Sequence, residues 1–265
     1  MPNKHFIEDA IRIVFQRYPI EDRKMTEFPD LDDPRYLDEL GWFISHEHNL
    51  SFSEYTYERE RRESSEMLLE EVMEFSGVEP TWLADKTVMS VGCGCTADLS
   101  AWPAARKIAI DPLLLVYQEL DMLLSDAPNT SRTLYLTANA EDVPLLSRSA
   151  DLILLRNALD HMHRPDLALR EMSRLLAPEG WLFLDVDLGG SPTPDEPSVF
   201  TADSLEQMIL RDFHIVTRRE GRPNSAHRDA SMRFLLGKLE QDPIPRLDKA
   251  RILSAYLKRH SEEAP

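Results

Sequence analysis

Cysteine is almost missing from this 265-residue chain: there are two, Cys93 and Cys95. Usage this low fits a reducing cytosol or a disulfide-poor exterior, and the two lie too close in sequence for an unstrained bridge. Positive charge is short as well. Lys and Arg number 30 against 47 Asp and Glu, a formal net charge of −17. Such a field repels a phosphate backbone and argues against general nucleic-acid binding. The basic stretches Arg59–Arg62 and Arg218–Arg222 do not reverse it. No uncharged run approaches the ~20 residues that span a bilayer. The opening "MPNKHFIEDAIRIVF" carries charges through its apolar run and does not read as a signal peptide. Neither an internal repeat nor a low-complexity segment is present. These absences leave the expectation of a soluble cytoplasmic protein, long enough for one domain plus an addition.

The pattern changes near residue 87. Before it, Ile7, Ala10, Ile11, Val14 and Tyr18 recur at helical spacing, and Pro19 closes that run. A charged connection follows, then "SEYTYERERRESSEMLLEEVMEFSG", a helix with Met67, Leu68, Val72 and Phe75 on one face and Gly77 as its stop. Residues 1–86 are therefore expected to form a helical cap. From Thr87 short apolar runs alternate with helical ones. "TVMSV", "KIAI", "TLYL", "DLILL" and "WLFLDV" read as buried strands, while "PLLLVYQELDML" and "RPDLALREMSRLL" read as helices. This alternation implies a mostly parallel sheet with helices on both faces. "FHIVTRRE" and "MRFLLGKL" add two strands, one of them expected to be an antiparallel edge strand. The core spans 87–240, and 241–265 forms a C-terminal helical tail.

"VMSVGCGCTADL" ends a strand in two glycines. Gly92 permits a sharp turn, and Gly94 removes a side chain where a ligand would approach the main chain. Asp111 closes the next strand, nineteen residues after Gly92. A carboxylate there can accept hydrogen bonds from both hydroxyls of a ribose. The plainer reading is a β–α turn with Asp111 capping a helix ahead of Pro112. Gly92 to Ala97 also satisfies G-x-G-x-x-A, the dinucleotide fingerprint.

The order of the motifs that follow discriminates between nucleotide families. "ANAEDVPLLSRSADLILLRNALDHMHRPDLALREMSRLLAPEGWLFLDV" resembles the core of class I S-adenosylmethionine-dependent methyltransferases. The shared pattern is an acidic stretch before Leu-Pro, a strand with its Asp, a tip containing Asn and His, then a helix ending near Pro and Gly. The resemblance covers residues 87–240 and implies a Rossmann-like core, S-adenosyl-L-methionine as cofactor, and a small-molecule or glycan acceptor. O-methylation is expected first, N-methylation next. It places Ser90, Gly92, Cys93 and Gly94 beside the methionine part, Asp111 and Pro112 at the ribose, and Asn139, Ala140 and Glu141 at the adenine. Arg156 and Asn157 then lie at the fourth strand tip, towards the reacting methyl. Three positions depart from the family pattern: Ser90 stands for an acidic residue, Thr96 for a third glycine, and Asn139 for the usual Asp, though its side-chain oxygen can still accept the adenine amino group's hydrogen bond. Non-catalytic cofactor binding and nicotinamide-dependent redox chemistry are the alternatives.

The acceptor side is less determined. "ISHEHNLSF" holds His46 and His48, and "LDHMHRP" holds Asp160, His161 and His163. Imidazole titrates near neutral pH, so His46, His48 or His161 can accept a proton in catalysis. His161 can equally pack at the start of a helix. His-x-His pairs recur by chance and the family usually needs no metal, so none is expected; nor is one expected at Cys93 and Cys95. Tyr55, Tyr57, Asn157 and Asp187 are candidate acceptor-binding residues. The Tyr pair can also be packing residues, and "YERERRES" a solvated helix face. The loop "GGSPTPDEPS" at 189–198 directly follows a strand, where open α/β sheets bind ligands.

Overall fold

A computed structural model describes residues 54–94, 99–114, 133–193, 196–223 and 228–239, with side chains from Ser65 onward. The expected helix at Ile7–Tyr18 and the C-terminal helix lie outside the described residues, as does most of "PLLLVYQELDML".

Seven strands form one sheet: β1 Thr87–Val91, β2 Arg106–Ile110, β3 Thr133–Leu136, β4 Ala150–Arg156, β5 Leu176–Leu188, β6 Phe213–Gly221 and β7 Ala230–Lys238. Their order is β3-β2-β1-β4-β5-β7-β6. The first five pair in parallel, and β7 runs antiparallel to both β5 and β6. The antiparallel strand is thus one place in from the edge, not on it; β6 is the edge. The burial of β7 shows why: Met232, Phe234, Leu235 and Leu236 are all buried, on both faces. On β6 the exposed Val216 and the run of exposed residues after it suit an edge.

Alternation along the strands divides the core in two. Met89, Val91, Ile153, Leu155, Leu182 and Leu184 face one way. They pack under helix α2, Pro165–Leu175, through Leu169 and Met172, and helix α3, Ala202–Ile209, through Leu205 and Ile209. Val88, Leu152, Leu154 and Phe183 face the other way and meet helix α1, Glu54–Ser76. Leu68, Val72 and Met73 are the buried face of α1, whereas Met67 is exposed, contrary to the expected stripe. Gly77 ends α1 at φ 70°, its N–H bonding Met73 O at 2.9 Å. A 3-10 turn at Pro80–Asp85 then stacks Trp82 on Trp181, with centroids 5.2 Å apart. From Ser65 onward, α1 is therefore a layer on a face of the sheet.

Helix α3 was not anticipated from the sequence. Its start is a reciprocal cap in which Ser204 N–H donates to Thr201 Oγ1 and Thr201 N–H to Ser204 Oγ.

Candidate functional site

The sheet order reverses between β1 and β4, which brings the tips of β2, β1, β4 and β5 side by side. Open α/β sheets bind ligands beside such a reversal. The loops that leave these tips carry most of the candidate residues.

Gly92 and Gly94 both adopt positive φ, 65° and 60°. Gly92 N–H and Cys93 N–H converge on Ile110 O, at 2.8 and 3.2 Å. A Cβ on Gly92 would lie 2.5 Å from the Ala158 Cβ, so the β1 turn is pressed against the β4 turn. Further along, the buried Lys107 donates to Leu99 O at 2.6 Å, fixing where the chain returns.

Asp111 sits within this bend. Its Oδ2 accepts the Gly94 N–H at 2.9 Å and its Oδ1 the Leu113 N–H at 2.8 Å. The bond to Leu113 is the local cap foreseen in the plainer reading, and the bond to Gly94 adds a tie across the two turns. Burial pushes its carboxyl up to about 6, against the opposing pull of the two N–H bonds and the charge of His161. Each carboxylate oxygen carries further lone pairs, so the pair of ribose hydroxyls is within its accepting capacity. The fit to a ribosyl cofactor therefore holds on geometry: two turns drawn tight around a buried acid.

The remaining candidates are placed unequally. Ser90 is inside β1, half-buried between Ala109 and Leu154. Pro112 follows Asp111 directly, and Asn139, Ala140 and Glu141 lie in the turn after β3. Asn139 is exposed, Glu141 half-buried and Ala140 part of the core. Arg156 ends β4 opposite Asp185, whose carboxyl burial pushes up against the opposing charges of Arg233 and then Arg156. Asn157 takes φ 44°, an uncommon conformation for a residue with a side chain, and its buried Oδ1 has no hydrogen-bond partner. His46 and His48 lie outside the described residues, as do the side chains of Tyr55 and Tyr57.

An acidic group lies beyond the tips of β4 and β5. Asp160, Asp187 and Glu196 are all buried. Asp160 follows β4, Asp187 belongs to β5, and Glu196 comes from the loop after it. Arg228 is buried against them, its Nε 2.6 Å from Glu196 Oε2, and it also donates to Gly189 O at 2.9 Å. Ser198 ties the two loops, its N–H to Asp160 O at 3.1 Å and its hydroxyl to Met162 O at 2.7 Å. Burial, then the charge of Glu196, raises the Asp160 carboxyl to about 7. His161, half-buried, completes the group. Glu196 and Arg228 were not singled out from the sequence. The Pro/Gly-rich composition of 189–198 pointed to the loop of Glu196, but nothing in it distinguishes the acid that turns inward, and Arg228 lies in the separate connection from β6 to β7.

A groove of about 290 Å³ lies elsewhere, lined by Met67, Glu71, Phe75, Arg219 and Arg233. It lies along α1 and the β6–β7 side, remote in the sheet order from Gly92 and Asp111, and holds none of the candidate residues.

Residues 89–184 match the family model described as "Methyltransferase domain". No curated protein matches. Among solved structures, the PH0226 protein from Pyrococcus horikoshii OT3 has a TM-score of 0.52 at 13% identity, over 71% of this chain and 93% of that one. A SAM-dependent methyltransferase from Methanosarcina mazei has 0.49 at 14% identity, over 60% of this chain and 94% of the other. The likeness to the Pyrococcus horikoshii protein, at that identity, speaks to fold. The family match makes residues 89–184 a methyltransferase domain, and the sheet around it has the Rossmann-like fold of its structural neighbour. S-adenosyl-L-methionine is its cofactor, and the nicotinamide alternative drops away. No helix among the described residues is long and apolar enough to cross a membrane.

Proposed function

We propose that the enzyme methylates a small-molecule or glycan acceptor, at oxygen before nitrogen. The observation that supports oxygen is the set of proton-accepting groups beside the β4 tip, Asp160 and His161 foremost. A hydroxyl must lose its proton as the new C–O bond forms, whereas a neutral amine can attack without prior help. The cofactor supplies an activated methyl on a sulfonium, so the protein's task is chiefly alignment. Gly92, Cys93 and Gly94 hold the methionine part, with Ser90 behind them. Asp111 and Pro112 hold the ribose, and Asn139, Ala140 and Glu141 the adenine end. Asn157 orients the acceptor through its unpartnered Oδ1, with Arg156 and Asp187 at the borders of the pocket. His46, His48, Tyr55 and Tyr57 belong to the region proposed to close it. The acidic surface suits a neutral or cationic acceptor better than a polyanion.

The test is acceptor screening with a labelled methyl donor, read by mass spectrometry of the product. Methylation of a hydroxyl on a metabolite or sugar is the expected result. Transfer confined to amines would overturn the oxygen assignment, and transfer only to protein or nucleic acid would overturn the acceptor class.

A further inference from the structure

Buried acids gather where β4 and β5 end. Three buried carboxylates, Asp160, Asp187 and Glu196, face one buried guanidinium, Arg228. Asp160 is fully buried, and neither of its carboxylate oxygens has a hydrogen-bond partner. A buried carboxylate in that condition is costly unless something cationic or a proton meets it. Three side chains converge there: one ligand-capable atom each from Asp160, His161 and Glu196, all within 4.8 Å of one another. Atoms bound to one ion at about 2.0–2.2 Å lie no more than roughly 4.4 Å apart, so only small rotamer shifts separate this arrangement from a coordination sphere.

We propose that Asp160, His161 and Glu196 form a binding site for one divalent metal ion. Two carboxylates and one imidazole suit a borderline ion such as Mn²⁺ or Zn²⁺. The loops that carry them are already fixed: Ser198 bridges the two, and Arg228 holds the Glu196 carboxylate from its far side. An outer partner of that kind orients a ligand. The three ligands come from loops leaving adjacent strands, β4 and β5, which leaves remaining coordination positions for water or an acceptor oxygen. With the ion present, His161 acts as a ligand and the ion itself acidifies a bound hydroxyl. The site does not depend on which atom is methylated, so its test is independent of turnover.

The experiment is calorimetric titration of the full chain, freed of metal by chelator, with Mn²⁺ and separately with Zn²⁺. Saturable binding of one ion per chain is expected. Asp160→Asn, nearly isosteric, should weaken it by about 100-fold or more, the upper range for loss of even an outer partner. His161→Ala, at a half-buried position less critical to folding, should weaken it similarly. Thermal melts should show Mn²⁺ stabilising the native chain and neither variant. Absence of one-to-one binding by the native chain overturns the site. So does binding that both variants retain. Failure to find a hydroxyl acceptor would count against the oxygen reading alone.

Discussion

The Asp111 carboxylate holds the Gly94 main chain: Oδ2 accepts the Gly94 N–H at 2.9 Å, across seventeen residues of sequence. The residue assigned to the ribose thus also sets the turn assigned to the methionine part. Asp111→Ala should therefore weaken S-adenosylhomocysteine through both. The loss of charge-assisted bonds is on the order of 1.5–3 kcal/mol. Asp111→Asn keeps one acceptor oxygen and should lose less. Calorimetry at pH 7.5 checks this, and equal affinities for all three chains would remove Asp111 from the site.

The same carboxyl predicts a pH dependence. Its folded value is about 6, above the ordinary 3.8, because burial disfavours the charge. The proton it binds therefore stabilises the fold fully below 3.8, and that contribution is lost as pH rises through about 6. Integrated, the difference is on the order of 3 kcal/mol. Urea denaturation of Asp111→Asn should lack this part of the decline between pH 4.5 and 7. Cofactor affinity should move the other way and rise through pH 6, because hydroxyl donors favour the ionised acid. His161 is the charged group that interacts with Asp111 here. Its removal should shift the midpoint upward. Parallel pH profiles for native and Asp111→Asn chains would refute the assignment.

Gly92 offers a sterically defined test. Its φ of 65° and the 2.5 Å approach of a Cβ to Ala158 are separate obstacles to alanine. Gly92→Ala should destabilise by roughly 1–2 kcal/mol for the left-handed backbone, plus roughly 1–3 for overpacking. Adding Ala158→Gly removes the clash but not the backbone strain. The double variant should recover part of the melting temperature, and recovery of none would mean the β1 and β4 turns do not touch as described.

Much of the sheet is legible in the sequence because its strands announce themselves as short apolar runs, although "TLYL", expected to be buried, forms an edge strand with Leu134 exposed. "TVMSV" and "TLYL" coincide with β1 and β3. The turn was legible too, since Gly92, Gly94 and Asp111 combine rare backbone needs with a fixed spacing. What the sequence hid depends on long-range partners. Glu196 and Arg228 are buried only because their loops fold together. Met67 looks like a core residue on a helical wheel, yet the neighbouring Leu68 turns inward, since its register on α1 is set by Phe183 and Leu154 beneath it. The place of β7 inside the sheet likewise depends on pairing that no local pattern carries.

The last prediction concerns where the N-terminal region divides. Leu68, Val72 and Met73 of α1 cover Val88, Leu152, Leu154 and Phe183. Removing large buried apolar side chains costs about 2–5 kcal/mol each, and a domain has only about 5–15 in total. A chain starting at Glu79 should therefore fail to fold, which makes it useless as a test of acceptor binding. A chain starting at Ser53 retains the whole of α1 and should fold. Its affinity for S-adenosylhomocysteine should match that of the full chain, because Gly92, Gly94 and Asp111 are untouched. Methyl transfer to the true acceptor should fall by roughly 10²–10⁴-fold if His46 or His48 accepts the proton. Alanine at each histidine in the full chain distinguishes loss of a base from loss of a lid: a base shows as lower kcat, a lid as higher KM. Full transfer by the shortened chain would exclude His46 and His48 and leave the Asp160–His161–Glu196 group, through its side chains or an ion they hold, to handle the proton.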